Sequence, residues 1–282
     1  MQILKTKDEA RRWVRHQAAM DRTSGLVPTM GALHEGHYSL VRHSLQRCDS
    51  TIATIFVNPT QFAPHEDLSR YPRPLEEDLA GLAECGADAV FVPEEGTMYA
   101  PGHSTFIEPP AVARPLEGAC REGHFRGVAT VVLKLMHILP TTHAFFGQKD
   151  FQQAAVISAM VRDLDMDVEV EALPTVREPD GLALSSRNRY LSSEQRSRAL
   201  GLSRALRDAA DAVAAGEIES AAIEQRMHRV LTEAGVDAIE YAVIADRRTL
   251  ERLPRIDRPA VALIAARVGT TRLIDNQLFD AT

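Results

Sequence analysis

Apolar and polar positions fall into alternating blocks along this chain. Residues 7–20 carry apolar side chains at helical spacing, with Ala10, Trp13, Val14 and Gln17 on one face. Five short apolar runs follow, at 25–28, 51–57, 88–92, 143–146 and 167–173, several of them rich in Val, Ile and Phe. Helical patterns separate most of these runs, at 33–48, 75–85, 128–138 and 151–164. Strands alternating with helices predict an α/β fold, a parallel sheet covered by helices on both faces. Such a sheet binds ligands beyond the carboxyl ends of its strands.

Past Val176 the alternation stops. Residues 193–215 and 218–234 read as helices, and 239–245, 260–268 and 271–275 as strands, the last two joined by Gly269-Thr270. Helices followed by strands predict a smaller α+β C-terminal domain. Pro174, Pro179 and Gly181 cluster at the expected boundary, giving domains at 1–176 and 177–282.

Composition narrows the partners. With 282 residues, 45% hydrophobic and 25% charged, the chain is ordinary for a globular protein. A net charge of -7 argues against broad binding to nucleic acid or to an anionic membrane. Cys48, Cys85 and Cys120 are odd in number and widely spaced, which suits a reducing compartment. The N-terminus does not read as a secretory leader and no apolar run reaches membrane-spanning length, so the cytoplasm is the expected location.

The chemistry concentrates where the first apolar run stops at Pro28. Gly25-Leu-Val-Pro-Thr-Met-Gly-Ala-Leu-His34-Glu-Gly-His37 is a strand–turn–helix pattern with two histidines three residues apart. Leu33, His37, Leu40, Val41, Ser44, Leu45 and Cys48 share the inward stripe of the helix that follows. Both imidazoles thus fall at a helix N-terminus, where free N–H groups and the helix dipole favour phosphate oxygens. Two plainer readings stand beside this one. A histidine on an apolar face is usually a hydrogen-bonded core residue, and an i, i+3 pair can share a metal, although no cysteine or third histidine sits at ligand spacing nearby.

Other runs end in polar loops as well: Asn58-Pro-Thr-Gln61-Phe62, Gly147-Gln148-Lys149-Asp150 and Pro174-Thr-Val176-Arg177. Ser185-Ser186-Arg187-Asn188-Arg189 adds hydroxyls and guanidinium groups suited to polyphosphate, or to a solvated loop. Neither a G-x-x-x-x-G-K-[ST] loop nor a G-x-G-x-x-G turn is present. Together these parts describe adenylation. Attack of a carboxylate on the α-phosphorus of ATP needs no protein nucleophile, only alignment and stabilised phosphate charge. His34, His37, Lys149, Ser185, Ser186 and Arg187 are the candidates for that charge. Mg²⁺ is expected to come with ATP, held by phosphates and water, and its protein ligands stay unassigned.

The Val27–His37 segment resembles the H-x-G-H signature of the nucleotidylyltransferases, in the form found in the pantothenate synthetase (pantoate–β-alanine ligase) family. The likeness continues through Phe56-Val-Asn-Pro-Thr-Gln61-Phe, Arg70-Tyr-Pro-Arg73, Gly123-His-Phe-Arg-Gly-Val128, Phe146-Gly-Gln-Lys-Asp-Phe-Gln-Gln153 and Asp180-Gly-Leu-Ala-Leu-Ser-Ser-Arg-Asn188. It covers roughly residues 25–192 densely, and the C-terminal part only in the order of its elements. The resemblance implies a Rossmann-like sheet with a C-terminal lid domain carrying the Ser-Ser-Arg loop. It also implies condensation of pantoate with β-alanine through a pantoyl adenylate, releasing pyrophosphate and then AMP.

By the same resemblance Met30, Gly31, Ala32, Leu33, His34, Glu35, Gly36 and His37 line the ATP site, with His37 at the proton-donor position. Gly147, Gln148, Lys149, Asp150, Val176, Leu184, Ser185, Ser186 and Arg187 supply the remaining ATP contacts. His34, Lys149 and Arg187 join His37 as catalytic candidates. Gln61 is matched to both pantoate and β-alanine, and Gln153 to pantoate. Leu184 and Gln148 stand where some members carry methionine and glutamate. The family is generally a homodimer. The competing expectations are an adenylyltransferase that leaves the nucleotide on its product, and a non-catalytic nucleotide sensor.

Overall fold

The computed structural model describes residues 1–63, 66 and 68–280. By contacts the chain divides into two compact units: residues 1–148 with 153–174, and residues 149–152 with 175–282. Among the described residues no helix is long and apolar enough to cross a membrane, and Cys48, Cys85 and Cys120 form no disulfide with one another.

The first unit is built on six strands: β1 (Gln2–Leu4), β2 (Ser24–Thr29), β3 (Ser50–Ile55), β4 (Ala89–Phe91), β5 (His143–Gly147) and β6 (Glu169–Leu173). Their order is β1-β4-β3-β2-β5-β6 and every pair is parallel. The helices between them are α1 (Lys7–Ala19), α2 (Glu35–Arg47), α3 (Leu75–Glu84), two single turns α4 (Glu95–Met98) and α5 (Glu117–Cys120), α6 (His124–Ile138) and α7 (Phe151–Asp163). The predicted face of α1, Ala10, Trp13, Val14 and Gln17, is buried, and Thr6 closes its first turn in a capping box with Glu9. Leu40 and Val41 of α2 and Leu82 of α3 pack with Val27, Ala53, Val90 and Phe145 as a core on one face of the sheet. The sheet and its covering helices are the α/β arrangement the sequence predicts.

Strand order reverses between β2 and β5, and these two strands pair only at Gly25–His143 and Leu26–Ala144. Beyond Leu26 they part. Pro28, which has no N–H to donate, therefore sits in a central strand without breaking that ladder, while β2 still runs in register with β3 to Thr29. Parting strands at the point of reversal leave a crevice at the carboxyl edge of the sheet.

In the second unit α8 (Ser193–Ala214) and α9 (Ser220–Glu233) cover an antiparallel sheet ordered β7 (Ala238–Asp246), β8 (Ala260–Val268), β9 (Thr271–Phe279). Leu202, Leu206, Ile223, Met227 and Leu231 meet Ala242, Ile244, Ala262 and Ile264 in its core. The structure adds detail at three places. β1 is three residues long, too short to show a period. α6 begins at His124, four residues before its apolar pattern, because the glycines of Gly123-His-Phe-Arg-Gly127 read as a loop. β9 runs on through Asp275, Asn276 and Gln277 to Phe279, polar positions that ended the apparent strand early.

Candidate active site

The turn after β2 holds left-handed backbone at Gly31 (φ 82°) and at Ala32 (φ 52°). For a non-glycine residue that conformation is costly and needs an external hold. Asp78 of α3, 2% exposed, supplies it. One carboxylate oxygen accepts the Ala32 N–H at 2.8 Å and the other the Leu33 N–H at 2.7 Å. A side chain at Gly31 would also meet that carboxylate, its Cβ falling 2.9 Å from Asp78 Oδ2.

His34 is the N-cap of α2 and His37 its third helical residue, which is why the helix starts at Glu35 and not at Leu33. His34 Nδ1 accepts the Gly36 N–H at 3.2 Å, and His37 Nδ1 accepts the His34 N–H at 3.3 Å. The rings lie 4.1 Å apart, tilted by 39°. Two of the amide donors expected to face phosphate are thus capped by the imidazoles themselves. The same bonds settle the tautomer: each Nδ1 is an acceptor, so in the neutral ring the proton sits on Nε2 as a donor. Both residues are half-buried.

After β3 the chain turns through Pro59–Gln61, with Asn58 as its cap. Asn58 is 1% exposed. Its Nδ2 donates to Gln61 Oε1 (3.0 Å) and to Gly127 O (3.2 Å). Its Oδ1 accepts from the Thr60 hydroxyl (2.9 Å) and the Tyr99 hydroxyl (2.8 Å). Burial raises the Tyr99 pKa, so its hydroxyl stays protonated and donating. With Oε1 taken by Asn58, Gln61 presents its NH₂ group, which donates to Met30 Sδ at 2.9 Å and so ties the two loops together.

α6 comes so close to this turn that a Cβ at Gly127 would stand 2.3 Å from Thr60 O and 2.7 Å from Gln61 Cα. His124, one turn earlier, bonds Gln61 O through Nδ1 at 2.9 Å. Gln153 is half-buried near the start of α7, and Gly147 and Gln148 end β5 and begin the turn after it.

In the second unit Leu184 donates its N–H to Val176 O at 3.0 Å, so these two predicted positions face each other across a hairpin. Ser185 caps the short turn Ser186–Tyr190 by accepting the Arg187 N–H. Asn188 anchors that turn on Glu178 and Ala183. Arg177 forms a bidentate pair with buried Asp275 (2.7 and 2.9 Å). The neighbouring Asn276 holds Lys149 O at 3.0 Å, and Lys149 Nζ lies 3.7 Å from Asp150.

Among the described residues, His143, Glu169 and Glu171 have metal-ligand spacing. His143 and Glu169 open β5 and β6 and Glu171 lies two residues further along β6, and the Arg47 guanidinium already lies on both carboxylates. One of the two carboxylate charges is therefore already offset. Asp78, Asn58, Tyr99, His124 and Gly127 are supports to which sequence reasoning gave no role, although the Phe56–Phe62 motif contains Asn58 and the Gly123–Val128 motif contains His124 and Gly127.

A parallel sheet with a histidine-capped helix at its point of reversal, and amide side chains from the adjoining loop, defines an α/β nucleotide-binding enzyme. The family model for pantoate-beta-alanine ligase matches residues 2–278, and the chain belongs to that family. The pantothenate synthetase of Rhodopirellula baltica is 51% identical over 98% of both chains, and that of Moorella thermoacetica 48% identical over 99% of both. Among solved structures, pantothenate synthetase from Thermus thermophilus superposes with a TM-score of 0.93 at 41% identity, over 98% of this chain and 99% of that one. The pantoate-beta-alanine ligase of Francisella tularensis, solved with beta-gamma ATP and beta-alanine, gives 0.81 at 33%, over 99% and 97%. The chain is thus a ligase joining pantoate to β-alanine.

Proposed function

We propose that the carboxyl edge of the six-stranded sheet activates pantoate with ATP. The observation carrying this reading is the histidine pair at the N-terminus of α2, where each Nδ1 accepts a backbone N–H, beside the point at which the strand order reverses. In the first step a pantoate carboxylate oxygen attacks the α-phosphorus, the bond to the bridging oxygen breaks, and pyrophosphate leaves. His34 and His37 donate to phosphate oxygens as charge gathers there. The Gln61 NH₂ group reads the pantoate hydroxyls and carboxyl without adding charge, and Gln153 does the same from α7. In the second step the β-alanine amine attacks the acyl carbon and AMP departs, with Gln61 also serving β-alanine.

Met30 to His37 and Gly147 to Gln148 in the first unit contact ATP on this reading. Lys149, Asp150, Val176, Leu184, Ser185, Ser186 and Arg187 of the second unit are assigned to ATP by the family resemblance. Lys149 and Arg187 provide the cationic charge. Mg²⁺ enters with ATP, coordinated by phosphates and water. Domains at 1–176 and 177–282, the second acting as a lid, and a cytoplasmic homodimer complete the proposal.

The test is isotope exchange. Labelled pyrophosphate is expected to enter ATP when pantoate is present and β-alanine absent, and His37→Ala to slow that exchange with folding retained. Exchange that needs β-alanine, or that is indifferent to His37→Ala, would overturn the assignment.

A further inference from the structure

We infer that His124 is a positioning residue for pantoate, acting through the main chain of Gln61; the inference rests on the assignment of Gln61 to that substrate. The chain of contacts admits one proton arrangement. Glu66 binds Arg121 through both oxygens, at 2.6 Å on Nε and 2.9 Å on Nη2. Arg121 Nη1 lies 2.9 Å from His124 Nε2. A guanidinium has donors only, so His124 Nε2 must accept. The imidazole proton is then on Nδ1, which donates to Gln61 O at 2.9 Å. Burial first, and then Arg121, bring the His124 pKa down to about 4, so the ring stays neutral at neutral pH.

The Gln61 carbonyl needs such a partner. It ends a three-residue turn whose one closing backbone bond, Phe62 N–H to Pro59 O, does not use it. Asn58 fixes the side-chain end of the same residue. His124 and Asn58 therefore hold Gln61 at both ends, and Gly127 lets α6 come near enough for His124 to reach. A catalytic or binding group displaced by about 1 Å loses on the order of a hundredfold in effectiveness, so the backbone anchor bears directly on substrate binding.

Two amide substitutions separate the halves of the relay. Asn places its NH₂ where Nδ1 stands and keeps the bond to Gln61, while giving up Arg121. Gln reaches the Nε2 position and keeps Arg121, while giving up Gln61. Steady-state KM values for pantoate and for ATP are measured for His124→Asn, His124→Gln, Glu66→Gln and Gln61→Ala, with thermal unfolding recorded for each. The expected result is a pantoate KM raised about tenfold in His124→Gln and within about threefold of the parent in His124→Asn, with ATP KM unchanged in both. Glu66→Gln, further from the turn, is expected to give a smaller rise confined to pantoate, and it carries the test if His124→Gln does not fold. Equal effects of Asn and Gln, or matching losses for ATP, overturn the relay while Gln61→Ala still raises pantoate KM. A Gln61→Ala variant with normal pantoate KM overturns the site assignment and the relay with it.

Discussion

Removing the Asp78 carboxylate tests whether the turn after β2 is held from outside or stable by itself. Its two oxygens accept two amides at 2.7–2.8 Å from a side chain 2% exposed. Hydrogen bonds to a buried charged group contribute about 1.5–3 kcal/mol each, so the pair is worth roughly 3–6 kcal/mol. Left-handed Ala32 opposes this by about 1–2 kcal/mol. The latch wins while both oxygens are present. In Asp78→Asn one oxygen remains, and the new NH₂ group faces the second amide donor to donor. We expect unfolding free energy to fall by about 3 kcal/mol, which a domain of ordinary stability survives. We also expect a higher KM for ATP with pantoate KM little changed, because Ala32 and Leu33 belong to the stretch assigned to ATP. Urea unfolding and steady-state kinetics on the same preparation read both. An unchanged midpoint together with an unchanged ATP KM would refute the latch.

Gly127→Ala is expected to raise pantoate KM and to destabilise by about 1–3 kcal/mol, as the new methyl group forces α6 off the Thr60 carbonyl; wild-type kinetics would show that the turn yields freely. The His124 pKa predicts an acid limb in stability. Its folded value, about 4, lies below the unfolded 6.5, so the unfolded chain binds the extra proton between them. Stability is therefore intact above pH 6.5 and falls as pH drops toward 4, by about 3 kcal/mol from this residue. In denaturant melts His124→Asn should lose that much less than the parent over the window, and parallel curves would contradict the buried neutral imidazole.

The parallel sheet was legible because its strands are short apolar runs with helical patterns between them. The turn after β2 was legible because small residues and two histidines interrupt that pattern at one place. What the spacing concealed is the set of contacts that hold the chemistry still. Asp78 stands in the run Glu76-Glu77-Asp78 at the start of α3, and in sequence it is one more acidic residue complementing a helix dipole. Its role depends on a contact 46 residues away in the chain, which no local period encodes. Asn58 reads as a turn residue before proline, and only the packing of Gly127 and Tyr99 against it shows its amide saturated on both sides.

The histidine pair shows the same division. Sequence placed both rings at a helix N-terminus and left it there, because donors and acceptors have no signature in spacing. The capping bonds decide the matter. They commit each Nδ1 to a backbone N–H, so in the neutral ring the proton sits on Nε2. His124 follows the same logic with the opposite polarity, since Arg121 commits Nε2 and leaves Nδ1–H for the main chain. In each case a neighbour that can only donate fixes which nitrogen carries the proton. At His124, where that neighbour is a side chain, replacing Arg121 while keeping the imidazole should therefore cost pantoate binding without costing the fold.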